Sequence, residues 1–78
     1  MKALIVDDDR TLLDVIAYAL RREGFETISA ENGETALEFW SKEYPDLIIL
    51  DVNLPKMNGF TVCRKIREQA DTPIIMLT

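Results

Sequence analysis

Short apolar runs alternate along this chain with stretches whose apolar residues recur every three or four positions. Ala3-Leu4-Ile5-Val6 is apolar on both faces, carries β-branched members and reads as a buried strand. Asp9 can cap a following helix in which Leu12, Leu13, Ile16, Ala17, Ala19 and Leu20 fall at helical spacing, and Gly24 stops it. Phe25-Glu26-Thr27-Ile28-Ser29-Ala30 alternates in the manner of a strand near a sheet edge. Glu31-Asn32-Gly33-Glu34 turns the chain into a second helix, with Ala36, Leu37 and Trp40 on one face, which runs to about Lys42. The Glu43-Tyr44-Pro45-Asp46 segment closes it, because proline excludes its predecessor from the helical region. Leu47-Ile48-Ile49-Leu50 is a second two-sided strand ending at Asp51. A loop from Val52 to Gly59 leads to a third helix with Phe60, Cys63 and Ile66 expected inside, and Pro73 opens a fourth strand, Ile74-Ile75-Met76-Leu77. The order is βαβαβαβ. Its crossovers are long enough for right-handed parallel connections, so one parallel sheet with helices on both faces is expected.

Composition narrows the class. With 78 residues there is room for one domain, and 47% hydrophobic against 29% charged residues excludes a disordered tail or a disulfide scaffold. Ordering so short a chain costs on the order of 120 kcal/mol, which about 4,700 Å² of buried apolar surface offsets. That demands an efficient core or a partner. The net charge of -5 gives no grip on phosphate backbones, so no nucleic-acid contact is expected from these residues. No signal peptide or membrane-length apolar run is present, and the single Cys63 cannot pair internally; a soluble cytoplasmic protein is expected. Histidine is absent, which removes His-based acid–base chemistry and His metal sites from this chain.

The polar residues that end the strands carry the candidate chemistry, since open parallel sheets bind ligands beyond the carboxyl ends of their strands. The first strand ends in Asp7-Asp8-Asp9, the third in Asp51 and the fourth in Thr78. If the first and third strands are neighbours, these groups meet at one edge. Clustered carboxylates repel unless a cation joins them, and an all-oxygen set suits Mg²⁺. A carboxylate there can also attack phosphorus. On this chemistry Asp51 is the nucleophile, Asp7 and Asp8 the metal side, and Thr78 the hydroxyl donor.

With these residues in place, the chain resembles the receiver domain of bacterial two-component response regulators, the CheY-like superfamily, over Lys2 to Thr78. The resemblance rests on the acidic pair in Ile5-Val6-Asp7-Asp8, on Asp51 with Asn53 two positions on, on Leu54, Pro55, Met57 and Gly59 of a Leu-Pro-x-Met-x-Gly loop, and on Thr78. It implies a flavodoxin-like three-layer αβα fold with strand order 2-1-3-4-5, of which this chain holds four strands. It further implies that Asp51 accepts a phosphoryl group from a sensor histidine kinase. Mg²⁺, or Mn²⁺, is then held by Asp7, Asp8, Asp51 and the backbone carbonyl of Asn53, and Thr78 senses the phosphate. Asn58 stands where the family often has Asp, and it can cap the third helix equally well.

A whole receiver of this family continues with a fourth helix, a fifth strand bearing an essential lysine, and a fifth helix. Residues 1–78 are therefore expected to be a receiver lacking its C-terminal third. The Ile66-Arg67 segment, the short gap to Pro73 and the Pro-Ile-Ile-Met-Leu-Thr ending resemble receivers joined to winged-helix DNA-binding domains, so transcriptional output is the expectation for the parent. The apolar fourth strand would then be an open edge, and self-association is expected. Two other functions compete: a fragment without signalling activity that keeps at most residual metal binding, and a Mg²⁺-dependent phosphohydrolase. The hydrolase would want an acid two residues after the nucleophile, and Asn53 is not one. Bland readings hold elsewhere: Asp9 as a helix cap, Cys63 as an inert core thiol, Met57, Trp40 and Tyr44 as packing, and Pro55 and Gly59 as loop shape.

Overall fold

A computed structural model describes residues 1–77. The elements follow as β1 (Lys2–Val6), α1 (Arg10–Arg22), β2 (Glu26–Ala30), α2 (Gly33–Glu43), β3 (Leu47–Asp51), α3 (Gly59–Arg67) and β4 (Ile74–Leu77). The strands form one parallel sheet in the order β2-β1-β3-β4. β1 and β3, which read as apolar on both faces, are central, and the alternating β2 lies at an edge, in keeping with their patterns, whereas the equally apolar β4 lies at the other edge.

Helices cover the two faces unequally. On one face Leu4, Val6, Ile48 and Leu50 pack with Ala36 of α2 and with Val62 and Ile66 of α3. On the other, Ile5 clusters with the buried Leu13 and Ala17 of α1 and the partly buried Ile16, Leu20 and Ile49. Leu4, Ile5, Ile48, Leu50 and Ile66 lose all contact with water, and each contributes about 1.5–3 kcal/mol. Across the α1 face the paired row Ile5, Ile49, Ile75 changes steadily from fully buried, through half-buried, to 51% exposed at β4.

The helices begin and end where local chemistry dictates. Asp9 caps α1 by accepting from the N–H groups of Thr11 and Leu12, Asn32 caps α2 through Thr35, and Asn58 caps α3 through Thr61. Gly24 follows α1 with φ 93°, the left-handed stop expected of it. The turn expected at 31–34 is shorter than it read: Asn32 is the cap and Gly33 already belongs to α2.

Two packing expectations are corrected. Phe60 is 59% exposed, and Val62 takes the buried place beside Ile66. Steps of three residues slip about 60° round a helix each time, so Phe60 and Ile66 cannot share one face, whereas Val62 and Ile66 do. Tyr44 is 82% exposed rather than packed on α2. It sits in the left-handed C-cap position of that helix, which turns its side chain to solvent.

Candidate metal centre at the strand ends

β1 and β3 pair side by side, so the groups that terminate them share the carboxyl edge of the sheet. Carboxylate oxygens of Asp7, Asp8 and Asp51 lie within 4.8 Å of one another. Asp7 is almost wholly buried, Asp51 half-buried and Asp8 exposed, so the cluster grades from the sheet outward to water.

Backbone bonds hold Asp7 and Asp51. The N–H of Asp9 donates to Asp7 Oδ1 at 2.9 Å, and the Asp7 N–H donates to the Ala30 carbonyl at 3.1 Å. The N–H of Asn53 donates to Asp51 Oδ1 at 3.2 Å, folding the chain back directly after β3. Asp9 is turned away from the cluster, its carboxylate spent on the first turn of α1, as the cap reading expected.

Burial pushes the Asp7 carboxyl above its ordinary value, opposed by the Asp9 N–H and reinforced by the charges of Asp51, Asp8 and Asp9. Among the described residues the side-chain ion pairs are Lys2–Glu43 and Arg10–Glu31, and neither reaches the cluster. Three carboxylates held together without a cationic partner, one of them strained toward protonation, are the donor set a hard divalent cation relieves. Mg²⁺ fits the residues present.

The loop after Asp51 is built to close tolerances. The carbonyl of Val52 accepts from Leu54 at 3.1 Å and from Gly59 at 2.8 Å. A Cβ on Gly59 would drive into the carbonyl oxygen of Asp51 and the Cα of Val52, so only glycine lets α3 start against the peptide that follows Asp51. Lys56 takes a left-handed φ of 69° at the loop's tip. Asp7, Asp8 and Asp51 are thus brought to one place, with Asn53 joined to Asp51 through its N–H, while Thr78 lies outside the described residues. Sequence reasoning gave Gly59 a turn and missed its contact with Asp51, and it passed over the Ala30 carbonyl, since neither a backbone contact nor a carbonyl partner leaves a mark in residue type.

With this geometry in view, comparison with known proteins defines the class. The response regulator receiver domain model matches residues 3–78, and the chain belongs to that family. It is 47% identical over 77 residues to the probable transcriptional regulator ycf27 of Porphyra purpurea. It is 46% identical over 78 residues to the alkaline phosphatase synthesis transcriptional regulatory protein PhoP of Bacillus subtilis. Each alignment takes in 99% of this chain and 32% of the relative, so the chain spans about a third of their length. Among solved structures, the BeF3-activated receiver domain of Klebsiella pneumoniae RstA superposes with a TM-score of 0.95 at 36% identity, covering all of this chain and 67% of that one. Chemotaxis protein CheY4 of Vibrio cholerae gives 0.91 at 37% identity, covering 96% of this chain and 65% of the other. The flavodoxin-like receiver fold is therefore present with four of its strands. No helix among the described residues is long and apolar enough to cross a membrane.

Proposed function

We propose that this chain receives a signal as a phosphoryl group on Asp51, passed from a phosphohistidine of a sensor kinase. The supporting observation is the meeting of Asp7, Asp8 and Asp51 at the ends of adjacent strands, with ligand oxygens within 4.8 Å. An Asp51 carboxylate oxygen attacks phosphorus, the P–N bond to the histidine breaks, and the imidazole leaves with the electron pair. Asp7, Asp8, Asp51 and the backbone carbonyl of Asn53 hold the cation. Mg²⁺, when bound, supplies positive charge against the phosphoryl oxygens. Thr78 is proposed as the hydroxyl that reports the phosphate. No protein group is proposed to release the phosphate by hydrolysis at enzymatic rates; the chemistry serves a switch in the cytoplasm, with control of transcription its output.

The test uses acetyl phosphate and Mg²⁺ on a chain continued through the rest of the receiver, with the 78-residue chain beside it in Mn²⁺ titrations. One phosphate is expected, on Asp51, lost in Asp51→Asn and dependent on Mg²⁺. In the shorter chain Mn²⁺ should bind weakly, with binding abolished by Asp8→Ala and weakened by Asp51→Asn, and less favourable in acid as the ligands protonate. Phosphate on another residue, or its transfer without a divalent cation, would end this reading.

A further inference from the structure

We propose that the turn between β2 and α2, acting through Gly33, is a positioning element that sets the distance between the Asp7 and Asp51 sides of the site. The inference rests on the metal-binding reading above and adds to it a residue well away from the ligands in sequence.

The turn touches both sides. At its start, the carbonyl of Ala30 accepts the Asp7 N–H at 3.1 Å, fixing the end of β1 to the end of β2. Asn32 then caps α2, accepting from Thr35 N–H at 2.8 Å, so the turn itself is held. Gly33 comes next and lies buried against the β3–α3 loop. A Cβ built there would stand 2.8 Å from Val62 Cγ2, 3.1 Å from Met57 Cβ and 3.2 Å from the Met57 carbonyl oxygen. Those spaces are too tight for a methyl group, so α2 approaches the loop as closely as it does only because residue 33 has no side chain.

A push at Met57 does not stay there. The Met57 N–H is bound to the Pro55 carbonyl at 2.7 Å across the left-handed Lys56. Leu54, 8% exposed and therefore anchored in the core, donates in turn to Val52, the residue after Asp51. Gly33 is thus linked by short contacts to the segment that carries Asn53 and follows Asp51. A cation ligated at about 2.0–2.1 Å tolerates little change in the spacing of its ligands. Gly33 is a positioning residue: it touches neither cation nor phosphate.

The experiment compares Gly33→Ala with Leu13→Ala, a truncation in the α1 cluster on the other face of the sheet, in the 78-residue chain. Amide proton–nitrogen spectra are taken without metal, followed by Mn²⁺ titrations. Gly33→Ala is expected to move the amides of Asp7, Asp8 and residues 51–54 and to weaken Mn²⁺ binding by about tenfold, as loss of an outer-shell support does. Leu13→Ala should lower stability while leaving those amides and the affinity in place. Shifts confined to residues 31–37, Met57 and Val62, with unchanged Mn²⁺ affinity, would overturn the proposal. Should Gly33→Ala not fold, Gly33→Ala with Val62→Ala removes the tightest contact, and the pair is read against Val62→Ala alone by the same criteria. Should the parent chain show no Mn²⁺ binding that Asp8→Ala removes, the metal reading falls, and the amide shifts alone decide the positioning role.

Discussion

Asp7 pulls stability and function in opposite directions. It is 3% exposed, accepts an N–H from Asp9, and faces the charges of Asp8 and Asp51. Burial, then those charges, raise its pKa, so the folded chain holds this proton more tightly than the unfolded chain does. Stability therefore falls as pH rises from the ordinary aspartate value through the raised one, and above that the ionised group imposes a constant cost. Asp7→Asn keeps an oxygen for the Asp9 N–H and removes the charge. In metal-free buffer at neutral pH the variant should melt higher than the parent, each 1 kcal/mol recovered showing as roughly 4–8 °C. The gap should close as pH drops toward the ordinary aspartate value, where both chains carry an uncharged group. Added Mg²⁺ should reverse the order, because the parent, with all three carboxylates, gains more from ligand binding. Thermal melts across pH, with EDTA or Mg²⁺, check all three, and equal melting temperatures at neutral pH would mean that Asp7's burial costs the fold nothing. The acids themselves were legible in the sequence as strand-terminating residues. Their grading from buried Asp7 to exposed Asp8 was not, because it depends on which neighbouring strand lies over each.

α2 shows at the level of one element what local sequence encodes and what it leaves open. Its start is written in Asn32, whose side chain needs only the N–H three residues on. Its end is not: Pro45 bars Tyr44 from the right-handed region, but the choice of φ 50°, ψ 59° comes from tertiary demand. The chain must swing at once to Asp46, which donates its N–H to the Lys2 carbonyl at 2.7 Å and accepts from the Lys2 N–H at 2.8 Å. A tyrosine in that conformation stores about 1 kcal/mol, and with 82% of it exposed it returns little through packing. Tyr44→Gly should therefore raise the melting temperature by several degrees with α2 unchanged, roughly 4–8 °C per kcal/mol. Unchanged or lower stability would show that Tyr44 earns its place through contacts on the α2 surface. In α3, where Ile66 and Cys63 do face the core, Phe60 was misplaced for a different reason. Phe60, Cys63 and Ile66 satisfy a three-residue period, but the face that docks is chosen by Gly59 against the Asp51 carbonyl, which turns Val62 inward and Phe60 out.

For the whole molecule, four strands and three helices make a body of ordinary compactness. Its surface of 4842 Å² at 8.9 kDa stands beside about 4,800 Å² expected of a single folded chain. Its radius of gyration, 11.2 Å, stands beside about 11.5 Å. Element order was the most legible property of all, and the strand order came with the family resemblance; apolar runs alone do not give it, because β4 is as apolar as β1 and β3 and yet lies at an edge. Short chain length suggested a core in want of cover, and the sheet shows such a place at β4. β4 presents an outer edge that pairs with no other strand among the described residues, and Ile75 extends the row begun by Ile5 and Ile49 out into water. No charge interrupts Ile74–Leu77, so a second copy can pair with it across a two-fold axis. The contact is short: four residues at about 3.3 Å each span ~13 Å, too short a strip to bury by itself the ~1,200 Å² of a stable interface. Self-association of the 78-residue chain should therefore be weak and concentration-dependent. Sedimentation equilibrium over a wide concentration range should show monomer passing toward dimer, and the -5 charge should make pairing stronger in added salt. Ile75→Lys should hold the chain monomeric with its far-UV circular dichroism intact, since a residue 51% exposed contributes little to the fold. A dimer undiminished by Ile75→Lys would place the contact elsewhere, and a monomer at every concentration would show that this edge, although open, is too short to pair.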